Sequence, residues 1–272
     1  MPPIIALLTD FGTRDHYVGA LKGAILSVAP DAQVVDVLHE VAAHDVAGGA
    51  FALGAAYPAF PRGTVFVAVV DPGVGSSRRG LAIEAGPYKF VGPDNGLLTE
   101  VLADHPAARV HALTNRRLWR VEVAPNFHAR DVFGPVAAHL ALGVGLEEVG
   151  PPVADALRLP PVPVHAVGKD EWEGTIVQVD RFGNLICNVS ARALDDILSA
   201  TGADRSDVVI SVAGVVAPLV RTYSDVPAGQ PCALVGSSGR LEVAVCGGSA
   251  ASILGAGRGA RVRMRRVYQP AI

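Results

Sequence analysis

Four side chains are candidates, by their type and their position in the sequence, for acid–base chemistry or for holding a polar ligand: Asp10, Asp71, Arg78 and His128. Asp71 and Arg78 flank a glycine-rich bend, and a guanidinium that folds back onto a carboxylate keeps that carboxylate ionised. His128 titrates near neutral pH and is therefore suited to orienting or deprotonating a water molecule. An ordinary surface ion pair and a structural histidine are the alternatives that the residue types leave open.

Asp10 stands in the segment Thr9-Asp10-Phe11-Gly12, directly after the first apolar run of the chain. In open α/β sheets, ligands lie outside the carboxyl ends of the strands, where a carboxylate can accept hydrogen bonds from both hydroxyls of a ribose. A role in a turn or as a helix cap also fits Asp10. Asp-Phe-Gly occurs in protein kinases as well, but the sequence lacks their glycine-rich loop and His-Arg-Asp loop.

Metal and phosphate sites are poorly supported by the motifs. His39, His44 and His128 with nearby carboxylates could hold zinc, but no His-Glu-x-x-His spacing is present. The sequence contains no G-x-G-x-x-G or Walker-type loop either. We therefore predict that the protein uses no metal and no cofactor. The cysteines are too few and too widely spaced for a disulfide framework, and are expected to be buried thiols: Cys187, Cys232 and Cys246.

The elements that must position these side chains alternate between strand and helix in the first half of the chain. Short apolar runs bounded by turn residues predict strands buried on both faces: Ile4–Leu8, Val34–Leu38, Val65–Val70 and Leu81–Ala85. Helical spacing predicts helices over Tyr17–Val28, from an Asp45 cap to Ala56, and over Val132–Leu142. This order predicts a mainly parallel sheet flanked by helices.

The second half of the chain has a different pattern. A stretch rich in Gly and Pro precedes it, and short β-like runs separated by turn residues follow. We predict an N-terminal α/β domain over 1–150, a linker over 151–168, and a smaller antiparallel β-barrel-like domain over 169–272. The predicted strands of this domain are Thr175–Val179, Val208–Val212, Val215–Val220, Ala233–Val235, Leu241–Val245 and Arg261–Met264.

Composition excludes several classes of partner. The chain has 272 residues, half of them hydrophobic, and its formal net charge is −3 with 23 basic and 26 acidic residues. No basic stripe is visible, so nucleic acid is not an expected partner. No apolar run reaches the roughly 18 residues of a membrane span, and no secretory signal is recognisable. We expect a cytoplasmic protein that acts on a small molecule.

Taken together, the motifs resemble those of the S-adenosyl-L-methionine hydroxide adenosyltransferases, relatives of the fluorinase and chlorinase enzymes. The resemblance extends over nearly the whole chain. In the first half it rests on Thr9-Asp10-Phe11-Gly12, Tyr17-Val18-Gly19, His39-Glu40-Val41, Asp71-Pro72-Gly73-Val74-Gly75 and Gly92-Pro93-Asp94-Asn95-Gly96. Further along the chain it rests on Phe127-His128 with Arg130-Asp131, Asp180-Arg181-Phe182-Gly183-Asn184, and Ser237-Ser238-Gly239 with Leu241-Glu242.

The resemblance implies hydrolysis of S-adenosyl-L-methionine to adenosine and L-methionine, by attack of a water-derived hydroxide on ribose C5′. It also implies a homotrimer with active sites at the subunit interfaces. By the same resemblance, Asp71, Arg78 and His128 hold the attacking water and Asp10 binds the ribose hydroxyls. The remaining implied substrate contacts are Phe182, Asn184 and Tyr223 for adenine, and Asp180 and Ser237 for the methionine end.

Three other functions stay open. A chlorinase-like enzyme would transfer halide to the same carbon, but here the Asp–Arg–His trio that halide-using relatives replace is intact. Ala129 stands where those relatives carry a halide-contacting Ser or Gly, and its methyl group offers halide no hydrogen bond. The other two functions are a non-catalytic sensor of S-adenosyl-L-methionine or adenosine, and a metal-dependent nucleotide hydrolase.

Overall fold

A computed structural model of the chain describes residues 2–267. The chain divides into two compact units, Met1–Pro160 and Pro161–Ile272, and the break lies within the stretch predicted as a linker. Residues before the break pack onto the first unit, because the Leu157 N–H donates to Asp94 at 2.8 Å and the Leu159 N–H donates to Thr99 at 2.8 Å. None of the helices in the described residues has the length and hydropathy that a membrane span requires.

The first unit is built on a six-stranded sheet in the order β2-β1-β3-β5-β4-β6. Strands β1, β2, β3 and β5 run parallel, whereas β4 is antiparallel to both of its neighbours. The prediction of a mainly parallel sheet with helices is therefore confirmed. In chain order the elements are β1 (Ile4–Thr9), α1 (Tyr17–Val28), β2 (Gln33–Leu38), α2 (Val46–Ala56), β3 (Val65–Val69), β4 (Gly80–Ala85), β5 (Tyr88–Pro93), α3 (Thr99–Asp104), β6 (Arg109–Ala112) and α4 (Gly134–Ala141).

Strand β1 shows why the sheet is covered on both faces. Ile5 and Leu7 pack into a core with α1 and α4, whereas Ala6 and Leu8 pack into a second core on the opposite face. All four residues are at most 1% exposed. Successive side chains of a strand point to opposite faces, so a continuous apolar run is the pattern that a doubly covered strand requires.

Two helices of this unit, α1 and α2, begin where the sequence pattern predicts, whereas α3 lies outside the predicted elements. Helix α1 spans Tyr17–Val28 and buries Leu21, Ala24 and Ile25 on one face. Helix α2 follows Asp45, whose carboxylate accepts a hydrogen bond from the Gly48 N–H at 3.0 Å. Strands β5 and β6 lie outside the predicted elements; β6 is short and its strand character comes from pairing with β4.

The second unit is an antiparallel sheet in the order β11-β10-β14-β8-β9-β13-β12, with β7 paired to β8. Its ends approach closure, because Leu219 and Ala233 form a β-bridge beside β11 and within β12. The predicted barrel-like form is thus confirmed. The elements are β7 (His165–Gly168), β8 (Glu171–Val179), β9 (Leu185–Ser190), α5 (Ala191–Thr201), β10 (Val208–Val212), β11 (Val215–Pro218), β12 (Pro231–Val235), β13 (Arg240–Val245), α6 (Ala250–Leu254) and β14 (Arg261–Arg266).

Helix α5 is an element that the sequence analysis does not predict. Ser190 caps its start by accepting a hydrogen bond from the Ala193 N–H, and Gly202 ends it in the left-handed conformation. Its apolar stripe is narrow, with Leu194 and Leu198 as the buried residues. Such a narrow stripe gives only a weak helical period, although the Ser and Gly at its two ends are recognisable helix signals.

Candidate active site

A cavity of about 560 Å³ opens in the first unit beside the carboxyl ends of β1 and β3. Two carboxylates and the predicted histidine line it: Asp10, Asp71 and His128. Its apolar wall includes Phe11, Tyr17 and Phe127, whose rings contact one another with centroids 5.3 to 6.1 Å apart. The cavity thus combines a few convergent polar groups with an aromatic wall, as small-molecule sites usually do.

Asp71 and Arg78 face each other across the loop that follows β3. Arg78 Nε donates to Asp71 Oδ1 at 3.0 Å, and Arg78 Nη2 donates to Asp71 Oδ2, so the pair is bidentate. The side chains are only 5% and 11% exposed for Asp71 and Arg78, respectively. Arg78 also lies over the Phe133 ring at 5.1 Å, which fixes the plane of its guanidinium. The pair is therefore a buried and rigid one rather than a mobile surface contact.

Gly75 brings this loop against the segment that carries His128. Its φ of +79° lies in the left-handed region, and a Cβ at this position would lie 2.6 Å from the Pro125 carbonyl oxygen. A side chain would therefore force the two segments apart. Because Pro125 lies three residues before His128, this close approach helps to set where the histidine stands.

His128 lies at the start of a π-helical turn, Ala129–Phe133. The Gly134 N–H donates to the Ala129 carbonyl, which is the wider hydrogen bond of a π turn. Pro135 has no N–H to donate to the Asp131 carbonyl, which instead accepts a hydrogen bond from the Arg120 N–H at 2.9 Å. The sequence analysis predicts a regular helix over Val132–Leu142; the α-helix begins at Gly134 because the π turn precedes it.

Asp131 anchors the segment around His128 from behind. Its fully buried carboxylate accepts hydrogen bonds from the Ala124 N–H at 2.9 Å and from Arg130 Nε at 2.7 Å. Burial by itself raises the pKa of Asp131, but the bonds from Arg130 and Ala124 outweigh it and hold the pKa below its ordinary value. Arg130 in turn lies 4.8 Å above the Phe127 ring. The carboxylate therefore ties together both ends of the segment 124–131.

The contact between Arg78 and His128 fixes the proton position on the imidazole. Arg78 Nη2 lies 3.0 Å from His128 Nδ1. Because a guanidinium has donors only, Nδ1 must accept, and the neutral ring carries its proton on Nε2. Burial and then the Arg78 charge lower the pKa of His128 from its ordinary value of 6.5, with Asp71 and Asp131 opposing this. The histidine is therefore neutral at neutral pH and is a hydrogen-bond donor at Nε2.

Asp10 follows β1 and lines the same cavity. Its Oδ2 accepts a hydrogen bond from the His44 N–H at 2.9 Å, and His44 has a φ of +66°. This left-handed conformation is uncommon for a residue other than glycine, although His is among those that tolerate it. The strained backbone of His44 thus points a donor at the Asp10 carboxylate. The structure brings Asp10, Asp71, Arg78 and His128 into one neighbourhood, while their roles remain predictions.

The predicted site residues of the second unit lie on loops of that unit. Asp180 Oδ1 accepts hydrogen bonds from the Phe182 and Asn184 N–H groups at 2.9 and 2.8 Å, and Oδ2 accepts one from the Asn184 side chain at 2.9 Å. Gly183 lies so close to Ser249 that a Cβ would meet Ser249 Oγ at 2.0 Å. This tight turn leaves the Phe182 ring 77% exposed.

Tyr223 and Glu242 form a pair that the sequence analysis does not predict. The Tyr223 hydroxyl donates to Glu242 Oε1, and Glu242 is only 4% exposed. Burial raises the pKa of Glu242, the Tyr223 hydrogen bond lowers it, and the Asp180 charge adds to the rise. Ser237 is exposed in the turn before β13. A Glu between Leu241 and Val243, in the otherwise apolar run Leu241–Val245, is the signal by which sequence reasoning could have found this buried carboxylate.

No group of three or more His, Cys, Asp or Glu side chains within residues 2–267 is arranged to hold a metal ion. His39, one of the three histidines considered for zinc, has both ring nitrogens engaged, by Thr9 at 2.8 Å and Asp36 at 3.0 Å.

Comparison with known proteins identifies the family of the chain. Models of the S-adenosyl-L-methionine (SAM) hydroxide adenosyltransferase N-terminal and C-terminal domains match residues 5–150 and 174–263. The chain is 39% identical to a protein of Salinispora tropica named (R)-S-adenosyl-L-methionine hydrolase, over 96% of this chain and 97% of that one. It is also 39% identical to a Thermus thermophilus protein of the same name, over 96% and 98%. A fluorinase of an Actinoplanes species is 30% identical over 89% and 90%.

Solved structures of similar sequence have the same fold. A conserved protein of Thermotoga maritima superposes with a TM-score of 0.89 at 35% identity, covering 96% of this chain and all of that one. A conserved protein of Thermus thermophilus superposes with a TM-score of 0.76 at 40% identity, covering 97% of this chain and all of that one. The matches extend through both units, and the chain belongs to the SAM hydroxide adenosyltransferase family.

Proposed function

We propose that this protein hydrolyses S-adenosyl-L-methionine to adenosine and L-methionine. The observation that carries the proposal is the cluster of Asp71, Arg78 and His128 at a cavity that also contains Asp10. The relatives of about 39% identity that are named (R)-S-adenosyl-L-methionine hydrolase support it further.

The reaction suits a site of this kind. The sulfonium carries a positive charge and leaves as a neutral thioether, so no acid is needed to assist its departure. The protein must then supply a nucleophile opposite the carbon–sulfur bond, which is a matter of positioning. Charge is lost as a hydroxide-like oxygen and the sulfonium combine, so apolar side chains beside the reacting atoms, such as Phe11, Tyr17 and Phe127, favour the transition state.

The contacts within the cluster suggest which residue takes the proton of the water. His128 Nδ1 accepts from Arg78, so its Nε2–H donates a hydrogen bond to the water oxygen and orients it. The carboxylate of Asp71 accepts the proton, while the bidentate Arg78 holds that carboxylate in place. The oxygen then forms its bond to C5′ as the C5′–S bond breaks, and the electron pair of that bond stays on sulfur.

We propose that no metal or cofactor takes part, since the sulfonium supplies the leaving group and the cluster supplies the base. Activity is expected to survive prolonged treatment with a chelator. Loss of activity that added Zn²⁺ restores would contradict this and would favour a metal-dependent hydrolase.

Oxygen-18 water is the decisive test of the proposed reaction. Purified protein incubated with S-adenosyl-L-methionine in this water is expected to release adenosine with one oxygen-18 atom at its 5′ position. A parallel incubation in concentrated chloride should give no 5′-chloro-5′-deoxyadenosine, because the methyl side chain of the buried Ala129 offers halide no donor. Formation of the chlorinated product would overturn the choice of nucleophile, and tight binding without any product would indicate a sensor.

We also propose a cytoplasmic homotrimer in which each active site lies between the first unit of one subunit and the second unit of its neighbour. The three cysteines are unpaired, as is usual where thiols stay reduced. Two variants test the assembly: Asp71→Asn, and Phe182→Ala combined with Asn184→Ala. Asp71→Asn should be nearly inactive, and the loop double variant should have little activity at substrate concentrations far below its raised KM. Refolding the two together should restore part of the activity at such concentrations. A monomeric mass, or no recovery in a mixture shown to exchange subunits, would contradict the arrangement.

A further inference from the structure

His39 is a buried, titratable side chain for which the proposed mechanism has no use. It is 5% exposed and follows the end of β2, next to β1 in the sheet. Both of its ring nitrogens make hydrogen bonds, to Thr9 on one side and to Asp36 on the other. A histidine satisfied in this way can be an ordinary part of the core, so its surroundings must decide whether it serves the site.

The hydrogen bonds form a continuous series from the surface to the end of β1. Lys22 Nζ on α1 donates to Asp36 Oδ2 at 2.7 Å, and Asp36 Oδ1 lies 3.0 Å from His39 Nε2. An ionised carboxylate only accepts, so the ring proton on Nε2 is donated to Asp36, and Nδ1 is left to accept from the Thr9 hydroxyl at 2.8 Å. Each hydrogen bond of the series therefore joins one donor and one acceptor without conflict.

The inner end of this series is hydrogen-bonded to both sides of the turn that carries Asp10. Thr9 Oγ1, besides donating to His39, accepts a hydrogen bond from the Phe11 N–H at 3.2 Å. On the far side of the turn, the Gly12 N–H donates to the carbonyl of His39 at 2.8 Å. Asp10 thus lies between two attachments to the same histidine, and its carboxylate is held separately by the His44 N–H.

We propose that the series Lys22–Asp36–His39–Thr9 is a positioning device that holds Asp10 in the geometry needed to bind the ribose hydroxyls, with His39 as its central positioning residue. This inference rests on the proposed function of Asp10. His39 does not line the cavity, and its effect on the substrate passes through the Asp10 turn. The outer pair of Lys22 and Asp36 is partly exposed, so its removal should weaken adenosine binding less than removal of His39 does.

Binding of adenosine, measured by calorimetry, tests this inference without depending on turnover. His39→Leu should weaken adenosine binding about tenfold, as expected when a buried hydrogen-bond series is interrupted. His39→Asn should lie within about threefold of the native protein, because its side-chain oxygen can replace Nδ1 as acceptor for Thr9. The matched control is His111→Leu, a partly buried histidine of β6 that bonds to the Gly150 carbonyl and does not line the cavity; it should leave affinity unchanged.

A double-mutant cycle separates positioning from general destabilisation. If His39 acts through Asp10, then adding His39→Leu to Asp10→Ala should weaken adenosine no further than Asp10→Ala alone does. KM for S-adenosyl-L-methionine should rise in His39→Leu while kcat at saturation changes less than about threefold. The variant should also discriminate less between adenosine and 2′,3′-dideoxyadenosine. Additive effects, or a loss confined to kcat and thermal stability, would overturn the inference.

Two further results keep the inference distinct from the proposed function. Should His39→Leu fail to fold, Thr9→Val removes only the hydroxyl and is expected to weaken adenosine about fivefold. Unchanged affinity in Asp10→Ala would remove the ribose role of Asp10 itself. Weakened affinity in Asp10→Ala combined with native affinity in His39→Leu and Thr9→Val would reject the positioning device alone.

Discussion

The Asp71–Arg78–His128 cluster and the loop 180–184 reach fixed geometries by different means. The cluster joins side chains that are up to 57 residues apart in the chain (128 minus 71), and each of them depends on the others for its orientation. The loop closes on itself, since all three hydrogen bonds to the Asp180 carboxylate come from within four residues. The side chains of Asp71 and Arg78 are almost wholly buried and His128 is partly buried, whereas the loop presents Phe182 to solvent.

The difference leads us to expect that the cluster serves catalysis and the loop serves substrate binding. Groups that stabilise a transition state must be held in a poorly solvated place before the substrate arrives, and long-range packing provides that. A flat, exposed aromatic ring on a short rigid turn instead offers a surface on which a planar base can stack. We therefore expect substitutions in the cluster to change kcat, and substitutions in the loop to change KM.

Asp71→Asn should have the largest effect, lowering adenosine formation at least roughly 100-fold while substrate binding is largely kept. The amide fills the same space but cannot take up a proton. The matched control is Asp94→Asn, which alters the buried carboxylate paired with Arg79 outside the cavity and should leave kcat close to native. Single-turnover measurements would show the difference. Native turnover in Asp71→Asn would break the comparison, because the cluster would then have no chemical role.

Phe182→Ala should raise KM about tenfold with little change in kcat, since loss of base stacking affects ground state and transition state alike. Thermal stability should be unchanged, because the ring is 77% exposed and the turn keeps its hydrogen bonds. Val216→Ala, at an apolar position of the same unit that is 53% exposed, is the control. A fall in kcat at saturating substrate would show that the loop takes part in the chemistry. It would contradict the assignment of the loop to substrate binding alone.

The pH dependence should show a smaller effect. Because burial and the Arg78 charge lower the pKa of His128, its imidazole stays largely neutral at pH 6.5. The kcat measured at pH 6.5 should therefore be within about threefold of the maximal kcat at higher pH. The acid limb should move upward in Arg78→Gln, where the neighbouring charge is gone. In His139→Gln, which alters a histidine remote from the cavity, the limb should stay. An acid limb centred above pH 6.5 in the native enzyme would contradict the assigned protonation state.

The same shift has a consequence for stability. Between its lowered pKa and 6.5, His128 binds fewer protons in the folded protein than in the unfolded chain. The free energy of unfolding therefore rises with pH through this window, and falls as the pH drops through it. Urea titrations of native protein and His128→Gln at several pH values would measure the difference.

Much of this architecture follows from local sequence rules. Continuous apolar runs predict the buried strands such as β1, and Asp45 predicts the start of α2, because burial on both faces and capping depend on residues close in sequence. The candidate residues Asp10, Asp71, Arg78 and His128 can be selected by type and by position after strands. The contact of Arg78 with both partners is observed in the structure, whereas their catalytic roles stay predictions.

The remainder depends on contacts that a single sequence does not reveal. The proton position on His128 follows from the approach of Arg78, 50 residues away. The contact of Tyr223 with the buried Glu242 joins residues 19 positions apart in the second unit, and the π turn after His128 follows from a missing donor at Pro135 together with the Arg120 contact. Distances between remote segments decide each of these, and local periodicity carries no information about them.

The π turn at Ala129–Phe133 makes the enzyme sensitive to the length of the chain as well as to its composition. Deleting one residue there would restore the regular helical period, and the preceding residues would rotate by about 100° about the axis of α4. His128 would then point away from Arg78 although no polar residue had been altered. Deletion of a single codon in this turn could therefore abolish or change the activity of an evolved variant. A comparison of the side chains at aligned positions would not reveal the cause.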